Sequence, residues 1–187
     1  MPPTEMLARI AGADFLFLSG DIQPLDEVSC YEFCNLVLDI FEKNKGKEII
    51  TLGGIGQQQI PKNPRLYCTG NSKSIIKRYA SKNMSNKIHG VVGPIIGVSG
   101  LLLGTASQRN IPAIAILAET YGHPTYLGMK GAREIIIALS GKFNFKLNFE
   151  KLNIEVQTIE KDIKTKRVPI INIKNIKRGG GDVNYIG

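Results

Sequence analysis

The chain has no tryptophan, only two histidines and three cysteines, and a 7% aromatic content. Each scarcity excludes something. With His89 and His123 its only histidines, 34 positions apart, the sequence offers no histidine cluster for a metal, and no G-x-S-x-G elbow supplies a nucleophile beside a base. Cys30, Cys34 and Cys68 cannot pair completely and contain no C-x-x-C arrangement, so a disulfide framework is excluded. Cys30 and Cys34 would share one helix face and could offer two metal ligands, but nothing nearby adds a third or fourth. Small buried hydrophobes is the preferred reading, and no metal is expected. The longest apolar runs, such as Ile135 to Leu139, fall far short of the roughly 20 residues a spanning helix needs. The first residues, MPPTEMLARIAGADF, lack a basic region followed by an apolar block and cleavage site. The expectation is a cytoplasmic protein without membrane contact.

What is present is ordinary for a globular protein: 43% apolar and 21% charged residues over 187 positions, enough for one α/β core and short for two. The net charge of +8 is uneven, since Lys164, Lys166, Arg167, Lys174, Lys177 and Arg178 stand in a window without an acid. Such a run suits a solvated linker, an acidic protein surface or nucleic acid. No aromatic residue interrupts it to stack on bases, which disfavours nucleic acid.

The stretch from Gly90 to Gly122 reads as the centre of the fold. Ile111 to Ala118 carries no charge and no alternation, as expected of a strand covered on both faces. A helix opens before it near Ser99, read as its cap, and Gly100 and Gly104 would let that helix approach another backbone closely. Further buried strands are read at Asp14 to Ser19, Lys47 to Leu52 and Arg65 to Thr69, and another at Lys87 to Val91. Helices are read from an Asp26 cap to about Lys45, from an Asn71 or Ser72 cap to Tyr79, from Thr125 to Lys142, and over Phe149 to Lys164. The alternation predicts an α/β fold of three layers, a mostly parallel sheet between helices, with a domain over residues 1–164 and a basic, glycine-containing tail over residues 165–187.

In open parallel sheets, ligands bind beyond the carboxyl ends of strands. The candidate ligand loops there contain Asp21, then Gly53, Gly54 and Gly56, then Glu119 and Thr120. Their amides suit an anion, although neither a phosphate-binding G-x-x-x-x-G-K-[ST] nor a spaced G-x-G-x-x-G occurs, and no cofactor is expected. Asp21 and Glu119 admit two readings: a general acid/base pair if their strands are neighbours, or separate carboxylates accepting backbone hydrogens, the preferred one.

The ordered phrases Phe15-Leu16-Phe17-Leu18-Ser19-Gly20-Asp21-Ile22-Gln23-Pro24, Thr51-Leu52-Gly53-Gly54-Ile55-Gly56, Gly100-Leu101-Leu102-Leu103-Gly104 and Leu117-Ala118-Glu119-Thr120-Tyr121-Gly122 closely resemble the proteasome assembly chaperone 2 family, especially its archaeal-type members. The resemblance extends from about residue 12 to 164. It implies a phosphorylase-like α/β fold without catalytic residues, a homo-oligomer, and binding to the α-ring of the proteasome core particle as an assembly chaperone or ATP-independent activator. Two departures accompany it. The further strand, glycine-rich turn and helix with which members commonly begin are expected to be missing before Ile10, so that either the start is truncated or another subunit, a further copy or a paralogue, covers a sheet edge. Activators of the family end in a hydrophobic residue, tyrosine and one final residue, whereas Tyr185 here is followed by both Ile186 and Gly187. The partner-binding residues implied are Val183, Tyr185, Ile186 and Gly187. The competing reading is a phosphorylase- or hydrolase-like enzyme holding a small anion at the carboxyl-end loops.

Overall fold

The computed structural model describes residues 4–10, 12–20, 23–88, 93, 95–123 and 126–165. Its centre is strand β6, Ala113–Tyr121, one of four strands in a sheet, as the charge-free run predicts. On one side β6 pairs in parallel with β3, Ile49–Gln57, from Ile49 opposite Ala113 to Gln57 opposite Tyr121. On the other it pairs antiparallel with β4, Leu66–Gly70, whose outer edge carries the two-residue β5, Met84–Ser85, in parallel. The order β3-β6-β4-β5 is thus mixed and mostly parallel.

Alternate residues of β6 face two separate cores, because successive side chains on a strand point to opposite faces. Ala113, Ala115 and Leu117 join Cys34 and Leu38 of α1, Glu27–Lys43, and Leu102, Leu103 and Ala106 of α3, Val98–Gln108. Ile114, Ile116 and Ala118 join Ile75 and Tyr79 of α2, Lys73–Tyr79, and Ile135 of α4, Met129–Phe143. The result is the expected three layers, helix, sheet and helix. A last helix, α5, Phe149–Thr165, lies against α4 by its Leu152, Val156 and Ile159 stripe, with Val156 buried and Arg133 Nε donating to Asn153 Oδ1 at 2.6 Å.

Local chemistry explains most boundaries. Asp26 caps α1 by accepting from the Ser29 amide at 2.9 Å, and Ser72 caps α2 by accepting from Ile75. The cap of α3 is Gly97 rather than Ser99: the chain enters at φ +85, which favours glycine, and Gln23 Oε1 takes the Val98 amide in place of a serine. Gly100 does permit close approach, since a Cβ there would lie 2.0 Å from the Ile95 carbonyl oxygen, but nothing lies within 4 Å of one at Gly104. Helix α4 begins four residues later than Thr125, because Gly128 sits in the left-handed region at φ +64; Leu127 therefore stands outside it, exposed.

Three strand expectations change. The apolar run Asp14 to Ser19 does form a strand, β2, Ala13–Ser19, but it pairs antiparallel with a strand not foreseen at all, β1, Thr4–Ile10, in a separate two-stranded hairpin. It is not buried: Leu16, Phe17 and Leu18 are each about 40% exposed, and half-buried Phe15 joins it to the body through the Phe143 and Phe145 rings, both 5.2 Å away. The strand read at Lys87 to Val91 is instead at Met84–Ser85; Lys87 and Ile88 are not in a strand, and residues 89–91 lie outside the described ones. Finally, β3 runs straight through its glycines. Among the described residues, no helix is long and apolar enough to cross a membrane.

Candidate functional site

The carboxyl end of β6 is where sequence and structure meet. Because β4 is antiparallel, its entry at Arg65 lies beside Glu119, and the Glu119 amide donates to the Arg65 carbonyl at 3.0 Å. The Glu119 side chain returns the contact. Its Oε2 accepts the Arg65 amide at 3.0 Å, while Oε1 accepts Arg65 Nε at 2.8 Å and Nη2 at 2.7 Å, with the Tyr67 hydroxyl at 3.4 Å. Glu119 is buried, whereas the Arg65 side chain stays 71% exposed, its Cζ 5.8 Å from the Tyr67 ring centre.

Burial pushes the Glu119 carboxyl up, but the Arg65 hydrogen bonds and charge, with Tyr67, outweigh it and hold the group below its ordinary value. The same contacts push the Arg65 guanidinium up. Tyr67 is pushed up by burial first and by the adjacent carboxylate second. A carboxylate so fully engaged and held below its ordinary value is a poor general base near neutrality, where an effective one titrates close to the working pH. Glu119 behaves as the plainer reading has it, accepting backbone and side-chain hydrogens to lock β4 onto β6.

The glycine loops become packing features. Gly53, Gly54 and Gly56 lie inside β3 opposite Leu117, Ala118 and Thr120, so their amides belong to a strand and not to an anion-binding loop. Thr120, likewise in β6 and not in a loop, explains two of the glycines. A Cβ at Gly54 would come 2.7 Å from its Cγ2, and one at Gly128 2.8 Å from its Oγ1. Asp21 lies outside the described residues, as do Val183, Tyr185, Ile186 and Gly187. The cysteines lie in the core region: Cys34 and Cys68 are buried, Cys30 half-buried, and burial pushes the Cys34 thiol up to about 11. Among the described residues, no three His, Cys, Asp or Glu side chains gather as metal ligands do.

Sequence reasoning missed a groove of about 570 Å³ beside this lock. Arg65 and Tyr67 of the β4 entry, Lys82 and Lys87 flanking β5, and Glu134 and Ile137 of α4 are among its walls. Its basic residues are scattered over 23 positions and converge only because β5 pairs beside β4. Sequence reasoning also missed the exposure of large apolar side chains here: Leu16, Phe17 and Leu18 of β2 are each about 40% exposed, Leu25 is 92% exposed and Val28 of α1 is 67% exposed.

Comparison with known proteins agrees with this architecture. The sequence model of the PAC2 family matches residues 1–166. Methanocaldococcus jannaschii protein MJ1210, described as uncharacterized, is 24% identical over 144 residues, 77% of this chain and 54% of that protein. Pyrococcus furiosus PbaB, described as an archaeal proteasome activator, superposes with TM-score 0.70 at 24% identity over 81% of this chain and 64% of its own. Pyrococcus furiosus PbaA, described as an archaeal homolog of proteasome-assembly chaperone, gives 0.65 at 20% identity over 88% and 71%. The chain thus spans little more than half of MJ1210 and just under two thirds of PbaB. With the family model covering all of the described residues and the same fold recurring in these structures, the chain belongs to the PAC2 family.

Proposed function

We propose that this protein is a non-enzymatic proteasome assembly chaperone or ATP-independent activator that binds the α-ring of the core particle through its C-terminal residues. The observation that carries the proposal is the family match over residues 1–166, and the fold shared with PbaB and PbaA supports it. The described body ends with α5 at Thr165, leaving 22 residues beyond it that include Gly179, Gly180 and Gly181. We divide the chain there, into a folded domain over residues 1–164 and a tail over residues 165–187. Three consecutive glycines restrict a chain least, so the end can turn while Tyr185, Ile186, Val183 and the Gly187 carboxylate seat in a pocket between ring subunits.

One such tail binds weakly. Several tails on a homo-oligomer would raise avidity by about 10²- to 10⁴-fold where their spacing suits the ring. The exposure of the consecutive Leu16, Phe17 and Leu18 in β2 supports self-association, since a strand with large apolar side chains left in water gains by being covered. The enzyme reading loses support: Glu119 is engaged by Arg65, and the glycines of β3 are in a strand.

Deleting residues 179–187 tests the proposal. The expected result is loss of co-sedimentation with the core particle while circular dichroism and the thermal melt stay as in the full chain; undiminished co-sedimentation would refute tail docking.

A further inference from the structure

The groove beside the Arg65–Glu119 lock has chemistry that the proposed tail docking leaves unused. Its floor is apolar, with Leu66 and Tyr67 buried and Ile137 and Ala138 of α4 half-buried, and Arg65, Lys82 and Lys87 are exposed among its lining residues. The one acid in its wall, Glu134, is already taken by the Arg133 guanidinium. Neither Lys82 nor Lys87 has an ion-pair partner among the described residues. Arg65 is different in kind. Its Nε and Nη2 are held on Glu119 Oε1, so the guanidinium is anchored from below, while its Nη1 has no bond among the described residues. A guanidinium presented this way has already lost much of its rotational freedom before a ligand arrives. Beside it β5 is the last strand of the sheet, paired on one side with β4.

We infer that this groove receives an extended acidic segment of a protein partner, its carboxylates on Arg65, Lys82 and Lys87. Charge complementarity identifies the occupant: Lys82 and Lys87 have no acid of their own among the described residues, and Arg65, paired with Glu119 through Nε and Nη2, keeps Nη1 as a further donor beside them. The groove is open to solvent along an edge strand, which suits a chain more than an enclosed metabolite. A chain carrying several carboxylates engages all three cations at once, whereas a single small carboxylate engages one. This surface belongs to the folded body, so it stands or falls independently of the tail.

The test uses the full chain and a fluorescein-labelled octapeptide of alternating glutamate and glycine, followed by anisotropy at low salt. The double variant Lys82→Glu/Lys87→Glu is compared with a charge-matched tail control, Lys174→Glu/Lys177→Glu. The expected result is about a tenfold or greater loss of affinity in the groove variant and about twofold or less in the tail control, with Lys82→Arg/Lys87→Arg binding as the parent does. Equal losses, or a larger loss in the tail control, would overturn the groove assignment. Displacement by free glutamate as effective as that by unlabelled peptide, at matched total carboxylate, would overturn the acidic-segment assignment.

Discussion

Two strands of this protein look alike in sequence and live differently. In β6, Ile114 and Ile116 are fully buried, with paired strands on both edges and helices over both faces. In β2, Leu16, Phe17 and Leu18 are about 40% exposed, in a hairpin fastened to the body through Phe15. An apolar run specifies that a strand must be covered, because leaving a large apolar side chain in water forfeits about 1.5 to 3 kcal/mol. It does not say what covers it. In β6 the cover is the chain itself; in β2 much of it is missing among the described residues, which is what the proposed self-association would supply.

The largest effect that would sharpen this contrast is at Ile116. Replacing it with alanine should cost about 2 to 5 kcal/mol by the lost transfer energy and the cavity left behind, read as a lower midpoint in urea. A smaller effect is expected at the lock beside it. Glu119→Gln should cost about 1 to 3 kcal/mol, since a neutral amide cannot hold the Arg65 guanidinium and its backbone amide equally. The carboxyl is depressed in the folded state, so its contribution is fully present above the ordinary glutamate value of 4.5 and is lost as pH falls through the lower folded value. Urea melts from neutral to acidic pH should therefore show parent and variant converging below that range; a gap constant with pH would mean the charge is not what holds the strands together.

The two glycines of α3 offer a closer comparison, because they lie on one helix and differ only in surroundings. Gly100→Ala places a methyl group against the Ile95 carbonyl oxygen and should destabilise by about 1 to 3 kcal/mol. Gly104→Ala meets nothing within 4 Å and should stabilise by about 0.5 to 1 kcal/mol, read as a higher melting temperature. A comparably small effect on the fold is expected from Phe17→Ser in β2, about 1 kcal/mol, for a ring that is 40% exposed and stacked on Phe15. The same substitution should reduce self-association in analytical ultracentrifugation. If it instead lowers the urea midpoint as far as Ile116→Ala does, the two strands are not different in the way described.

Much of the framework could be read from local signals. The Asp26 and Ser72 caps, the apolar stripe of α5 and the uncharged run of β6 each depend on residues within a few positions of one another. The site was less legible. Glu119 could be singled out at the end of a strand, but its partner Arg65 is 54 positions earlier and reaches it only because β4 runs antiparallel to β6. A glycine-rich phrase such as Gly53 to Gly56 reads as a loop by composition, yet β3 keeps pairing through it with Thr120 packed where a Cβ of Gly54 would be. Ser99 looked like a cap because serine is a good one; Gln23, far back in the chain, took the Val98 amide instead.

By itself, then, the sequence determined the places of the helices and of β2, β3, β4 and β6, and that β6 is the innermost of them, while the ordered phrases added the family they resemble. The placement of the elements follows from periodicity, capping and composition, all of which act over a few residues. Only the tertiary structure decided the antiparallel placement of β4, the pairing of Arg65 with Glu119, the grouping of Lys82 and Lys87 beside them, and the exposure of β2. Each of those depends on which segments meet in space, and that is set by packing two cores at once around β6, a condition no local stretch of chain contains.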